Sequence, residues 1–176
     1  MSSIVDREQV RTALERNLKA VSLRPGVGQG TARTLARLGP GLSCEVTEGQ
    51  WSFTAGMTEK YGGTAAGPNP GVYGRGALAS CLTIGYGMWA ARLDVPIDAL
   101  TVEVEADYDV RGELGVADNV RPGYLEIRYI VTVESSAAEA DVMRVLDTAD
   151  RYSSYRDIFS SMPLRREVRL SAANRA

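Results

Sequence analysis

The sequence contains no histidine, and that absence removes a large share of enzyme chemistry. No Ser-His-Asp or Cys-His pair can form, and no imidazole can bind a metal or move protons near neutral pH. Two cysteines are too few for a Cys₄ zinc site, and without histidine they cannot make a Cys₂His₂ one. Lysine is nearly as scarce, with Lys19 and Lys60 alone, which disfavours a lysine nucleophile. An excess of either charge is also lacking: Lys+Arg is 20 against Asp+Glu 22, a net charge of -2, so no global basic field for nucleic acid exists. No stretch approaches 18 uninterrupted apolar residues, so no membrane span is expected. Met1 to Glu8 lacks the basic and apolar segments of a signal peptide. The reading is a cytoplasmic protein, where a cysteine is either core filler or a working thiol. With 176 residues, 44% of them hydrophobic, the chain is an ordinary globular one. Catalysis is left to Cys, Asp, Glu, Arg, Tyr, Ser or Thr, with no cofactor or metal expected.

What is present spells an α+β order. Residues 6–22 place Val10, Leu14, Leu18 and Val21 at helical spacing, with Asp6 and Gln9 as a capping box and Pro25-Gly26 as the stop. The stripe is narrow, so the helix is expected on a surface or on a partner chain. Gly26, Gly28 and Gly30 follow a helix, and their spacing does not match a phosphate-binding GxGxxG loop. Three strands follow, Arg33 to Leu38, Leu42 to Thr47 and Gln50 to Ala55, separated by turns at Gly39-Pro-Gly41 and Glu48-Gly49. Alternation puts Cys44 inward with Leu42 and Val46. Residues 60–72, rich in glycine and proline, read as a loop leading into a helix from Gly74 to Leu93. That helix is apolar almost all round and is expected to be central and buried. Gly74, Gly76, Gly85 and Gly87 within it imply close approach of another backbone. Residues 100–110 alternate, with Leu100, Val102, Val104, Ala106, Tyr108 and Val110 inward. Leu125, Ile127, Tyr129, Val131 and Val133 give an antiparallel partner. Ser136 and Glu139 open a helix carrying Val142, Val145, Leu146 and Ala149. A short helix near 154–160 and a strand at 163–170 complete the order. The organisation is read as a helix and linker over 1–29, a domain over 30–170, and a polar tail over 171–176.

Cys81 is the residue with chemical promise, and spacing alone leaves two readings of it. One is a small apolar residue packed in a helix. The other is a thiol activated by a positive partner. Arg33 and Arg37, on one face of the first strand, are the candidates for that partner, against the plain alternative of solvated surface arginines.

The run Tyr61-Gly-Gly, then Gly67-Pro-Asn-Pro, then Ala77-Leu-Ala-Ser-Cys81 resembles the OsmC/Ohr family of thiol peroxidases in motif, in spacing and in the order of elements over about residues 30–170. The resemblance implies antiparallel sheets around a buried central helix, in an intertwined homodimer with sites between subunits. It implies reduction of organic hydroperoxides by a peroxidatic cysteine, matched by Cys81, which passes through a sulfenic acid to a disulfide with a second cysteine. An arginine and a glutamate hold the thiolate and the peroxide in that family. This sequence departs from the pattern: Ser153 stands where the second cysteine is expected, Gly71 and Val72 where the acidic residue is, and no arginine lies between Phe53 and Tyr61. A sulfenic acid at Cys81 must then be resolved by an external thiol or risk over-oxidation, with Cys44 as a conceivable substitute for the second cysteine. Two functions follow as expectations. One is a one-cysteine peroxidase. The alternative is a non-catalytic homodimer binding a small apolar ligand between subunits, with Trp51, Tyr61, Tyr73 and Trp89 as lining.

Overall fold

The structure is a computed structural model that describes residues 4–172. The chain divides into one unit made of Met1–Leu18 with Ala77–Ala176 and another made of Lys19–Gly76. Both long helices near the N-terminal half cross the division: α1 (Arg7–Leu23) and α2 (Pro70–Arg92).

In the smaller unit, β1 (Leu35–Gly39), β2 (Ser43–Glu48) and β3 (Trp51–Gly56) form an antiparallel meander in the order β1-β2-β3. Its turns fall where the glycines are: Gly41 has φ 62° and Gly49 φ 56°, values that glycine adopts without steric cost. Strand β1 begins at Leu35, so Arg33 lies outside it and does not share a strand face with Arg37. Cys44 pairs with Leu38 and Ala55 and is half-buried. Leu42 lies before the strand at φ 52° and is exposed, so the inward row is shorter than alternation implies. The glycine-rich loop folds against this sheet. A Cβ on Gly67 would stand 2.2 Å from the Thr54 carbonyl oxygen, a distance that backbone cannot relieve.

Helix α2 starts at Pro70, one turn before the expected Gly74. The Asn69 side chain accepts the Val72 N–H at 3.2 Å, and proline at the first helical position lacks only an N–H that had no partner there. Tyr73, in that first turn, donates to the Thr54 carbonyl at 2.6 Å and lies 4.5 Å from the Phe53 ring.

The larger unit holds the core. Its sheet has the order β4-β5-β6, from Ala99–Asp107, Glu126–Ser135 and Leu164–Ala172. Strand β4 pairs antiparallel with β5, as expected, whereas β6 pairs parallel with β5. The chain returns to β6 through α4 (Glu139–Arg151) and α5 (Ser154–Ile158), the kind of crossover a parallel neighbour requires. Leu78, Leu82, Tyr86 and Ala90 of α2, four residues apart, meet Ile127, Tyr129, Val131 and Val133 of β5, two apart, and Val142, Val145, Leu146 and Ala149 of α4. Full burial of each aliphatic side chain contributes about 1.5–3 kcal/mol.

Three local expectations are corrected. Tyr108 is exposed rather than inward, because pairing ends at Asp107 with Glu126. Asp109 then caps α3 (Val110–Glu113), accepting the Arg111 N–H at 3.0 Å. Ser136 does not cap α4; the N-cap is Ala138, and the Ser135 hydroxyl takes the Ala137 N–H instead. Finally, α2 is not buried all round: apart from Ala91 near its end, its buried residues lie on one side. Ile84 and Met88 are 63% and 40% exposed. A Cβ on Gly74, Gly76 or Gly85 would meet nothing within 4 Å, and one on Gly87 only the Val5 side chain. No close backbone explains those glycines among the described residues. The Asp6 cap of α1 is present, accepting the Gln9 N–H at 3.0 Å, and no described residue of α1 is fully buried. Residues 173–176 of the expected tail lie outside the described residues, and β6 extends through Ala172.

Candidate functional site

Cys81 sits in the fourth turn of α2, between the core residues Leu78 and Leu82, and is half-buried. Its sulfur lies 3.5 Å from Ser153 Oγ and 3.8 Å from Ser154 Oγ. Both serines stand where α4 has ended and α5 begins. The Ser153 side chain caps α5 by accepting the Arg156 N–H at 3.2 Å. That bond occupies one lone pair of the hydroxyl and leaves its proton free to point at sulfur. Burial pushes the Cys81 thiol up. The Ser153 hydroxyl, the Tyr155 backbone N–H, and the hydroxyl and N–H of Ser154 together outweigh burial and hold the thiol below its ordinary value. Each donor favours the anion, because a thiolate only accepts.

The sulfur opens onto a cavity of about 250 Å³ whose wall is mostly apolar, with Ile84, Gly85, Met88, Trp89 and Tyr152 among its lining. Trp89 and Tyr152 stack there, with centroids 5.3 Å apart and planes 19° apart.

Behind the serine turn lies a polar cluster that the sequence reading did not single out. Asp150, 8% exposed, accepts from Tyr86 at 2.6 Å, from Tyr129 at 2.8 Å and from Arg166 at 2.8 Å. Arg156 donates to the Tyr129 hydroxyl at 3.1 Å, and Arg166 also pairs with Asp147. Burial and the neighbouring Asp150 carboxylate push both phenols up, Tyr129 to about 12. The signal for Asp150 was present: it continues the spacing of Val142 and Leu146 by one more helical step, an acid on an apolar stripe.

Of the residues singled out beforehand, Cys81 and Ser153 come together. Arg33 and Arg37 belong to the other unit, are exposed, and form no ion pair with a described residue. Every donor that lowers the Cys81 thiol is a serine hydroxyl or a backbone N–H. Gly71 and Val72 lie in the first turn of α2.

Among solved structures, the fold is similar to that of an OsmC-like protein from Mycoplasma pneumoniae, with a TM-score of 0.69 at 17% identity over 83% of this chain and 99% of that one. It is similar to an organic hydroperoxide resistance protein from Elizabethkingia anophelis, with a TM-score of 0.61 at 13% identity over 82% and 98%. The organic hydroperoxide resistance protein OhrB of Bacillus subtilis gives 0.52 at 19% identity over 81% and 98%. At these identities the likeness shows the fold. No curated protein sequence matches this chain. The family model for OsmC-like proteins matches residues 62–165, a span that runs from the glycine loop through α2 and the serine turn into β6, and the chain belongs to that family.

Proposed function

We propose that this protein is a thiol-dependent peroxidase that reduces organic hydroperoxides at Cys81 and is returned to its reduced form by an external thiol. The observation that carries this reading is the Cys81 sulfur, held by two serine hydroxyls and two backbone N–H groups at the edge of an apolar cavity. Family membership and the fold shared with organic hydroperoxide resistance proteins support it.

The thiolate attacks the distal oxygen of R–O–O–H and the O–O bond breaks. Sulfur gains the OH as a sulfenic acid, and RO⁻ leaves as the alcohol after taking a proton. The apolar wall accepts the R group. Ser153 has no sulfur to offer, so the sulfenic acid persists until a free thiol reaches it. A homodimer belongs to this proposal, with the open side of α2 as the face that meets the second copy.

Mass spectrometry after one equivalent of cumene hydroperoxide is expected to show a single added oxygen on Cys81 and no bond to Cys44. Hydrogen peroxide is expected to react more slowly, and Cys81→Ser to abolish consumption. If Cys81 stays reduced under excess hydroperoxide while a free thiol in the same tube oxidises, the activity is wrong and the cavity is a site for an apolar ligand.

A further inference from the structure

Two arginines lie over aromatic rings that line the Cys81 cavity, and neither forms an ion pair with an acid among the described residues. Arg92 lies over the Trp89 ring, its guanidinium carbon 4.5 Å from the centroid, and Arg151 over the Tyr152 ring at 5.6 Å. Those rings are the stacked pair that lines the cavity. Each guanidinium therefore lies against one ring of the aromatic pair that lines the cavity, and together they form a cation–aromatic stack. Both arginines are exposed and neither forms an ion pair with a described residue. The acids nearest to them in sequence are engaged elsewhere. Asp94 faces Arg7 and Arg11 at 3.8 and 3.7 Å, and Asp147 and Asp150 are bound by Arg166.

A guanidinium set against an aromatic face keeps its N–H edge outward, in the geometry that grips a carboxylate with two parallel bonds. We infer that this stack selects an anion, and that the external thiol which regenerates Cys81 is a small thiol carrying a carboxylate. The inference rests on the peroxidase reading for its chemistry and on the stack for its charge. Apolar wall serves the hydroperoxide; the arginines have no task in that half of the cycle. The other half needs a thiolate, R′–S⁻, to approach the sulfenic sulfur. It forms the S–S bond of Cys81–S–S–R′, and the OH leaves as water with the proton that R′–SH had carried. A second R′–S⁻ attacks the R′ sulfur and releases R′–S–S–R′ and the Cys81 thiolate. Attraction to the two cations raises the local concentration of both anions.

The test needs no peroxide. In a Cys44→Ser background, Cys81 is loaded as its mixed disulfide with thiopyridine, and release of thiopyridone is followed with 3-mercaptopropionate, 2-mercaptoethanol and cysteamine, compared per thiolate. The carboxylate thiol is expected to win by about three- to tenfold over the neutral one at low salt, with cysteamine slowest, and the gap should close near 1 M salt. Arg92→Gln with Arg151→Gln should bring the three rates together, while the paired lysine variants keep the order. Equal rates in the parent protein, or a preference that survives both glutamines, overturns the inference. A Cys81 that takes no oxygen from hydroperoxide defeats the proposed activity and leaves this ratio readable, so the two failures are distinct.

Discussion

In the proposed reaction Ser153 bears on the Cys81 sulfur at both ends of the chemistry. At 3.5 Å its hydroxyl can donate to a thiolate, and in the proposed cycle, lacking sulfur, it leaves the oxidised form unresolved. Removing that donor with Ser153→Ala is expected to raise the thiol pKa, since a hydrogen bond to a charged group contributes about 1.5–3 kcal/mol and the remaining donors only partly close the gap. Read as the pH midpoint of iodoacetamide alkylation, the shift is upward, and the rate at pH 7 falls several-fold. Because alanine also removes the cap of α5, Ser153→Thr is the control: it retains hydroxyl and cap and should retain the midpoint. Ser153→Cys should convert the persistent sulfenic acid into a disulfide with Cys81, visible as loss of the single-oxygen adduct. At this scale the sequence was readable where chemistry and spacing coincide. The motif led to Cys81, and the departure at Ser153 marked the residue that the fold places beside it. For Arg33 and Arg37, strand alternation says which side chains share a face but not what any face meets. The donors found at sulfur are hydroxyls and backbone N–H groups, whose role depends on a turn that no spacing rule describes.

Elements, in turn, are joined by Asp150. It sits on α4 and collects Tyr86 from α2, Tyr129 from β5 and Arg166 from β6, so one buried carboxylate fixes four elements around the serine turn. Tyr86→Phe keeps the ring in the core and removes one donor. It is expected to cost about 1–3 kcal/mol, measured by urea denaturation, because Asp150 stays buried with fewer partners. The same cluster sets an alkaline limit. Both phenols are held above their ordinary range by burial and by the Asp150 carboxylate, Tyr129 at about 12. Their contribution is complete below the unfolded value of about 10 and is lost as pH rises toward the folded one, because the unfolded chain there has released protons that the folded chain still holds. Stability should therefore fall steadily between about pH 10 and 12, and Tyr129→Phe should flatten that slope. A slope unchanged in both phenylalanine variants would place the alkaline limit elsewhere. Most elements were legible in advance because period-two and period-3.6 patterns are local: β2, β4, β5 and α4 stand close to where alternation and stripes put them. The parallel pairing of β6 was not legible, since an alternating strand looks the same whichever neighbour it joins. The start of α2 was missed because Pro70 reads as a breaker unless Asn69 is recognised as its cap.

For the whole molecule, the open side of α2 is the feature that asks for a second copy. A helix apolar on nearly every side buries the stripe through Leu78, Leu82, Tyr86 and Ala90 and, near its end, Ala91, while Ile84 is 63% exposed and Met88 40%. Gly85, between them, has nothing within 4 Å of where a Cβ would stand. Glycine inside a helix costs about 0.5–1 kcal/mol against alanine, and space over it is useful only if another surface comes close. Ile84 and Met88 also line the Cys81 cavity, so a partner seated on this face would finish the cavity as well as cover the helix. The expected solution mass by light scattering is that of two chains, about twice 19.0 kDa. Ile84→Arg projects a charge from the centre of the exposed side without touching the buried stripe, so it should leave the far-ultraviolet circular dichroism intact and drive the mass toward one chain. Because the same surface bounds the cavity, the monomeric variant should also lose its preference for cumene hydroperoxide over hydrogen peroxide. A dimer that withstands Ile84→Arg would place the interface on another surface and leave α2 with an apolar side facing water.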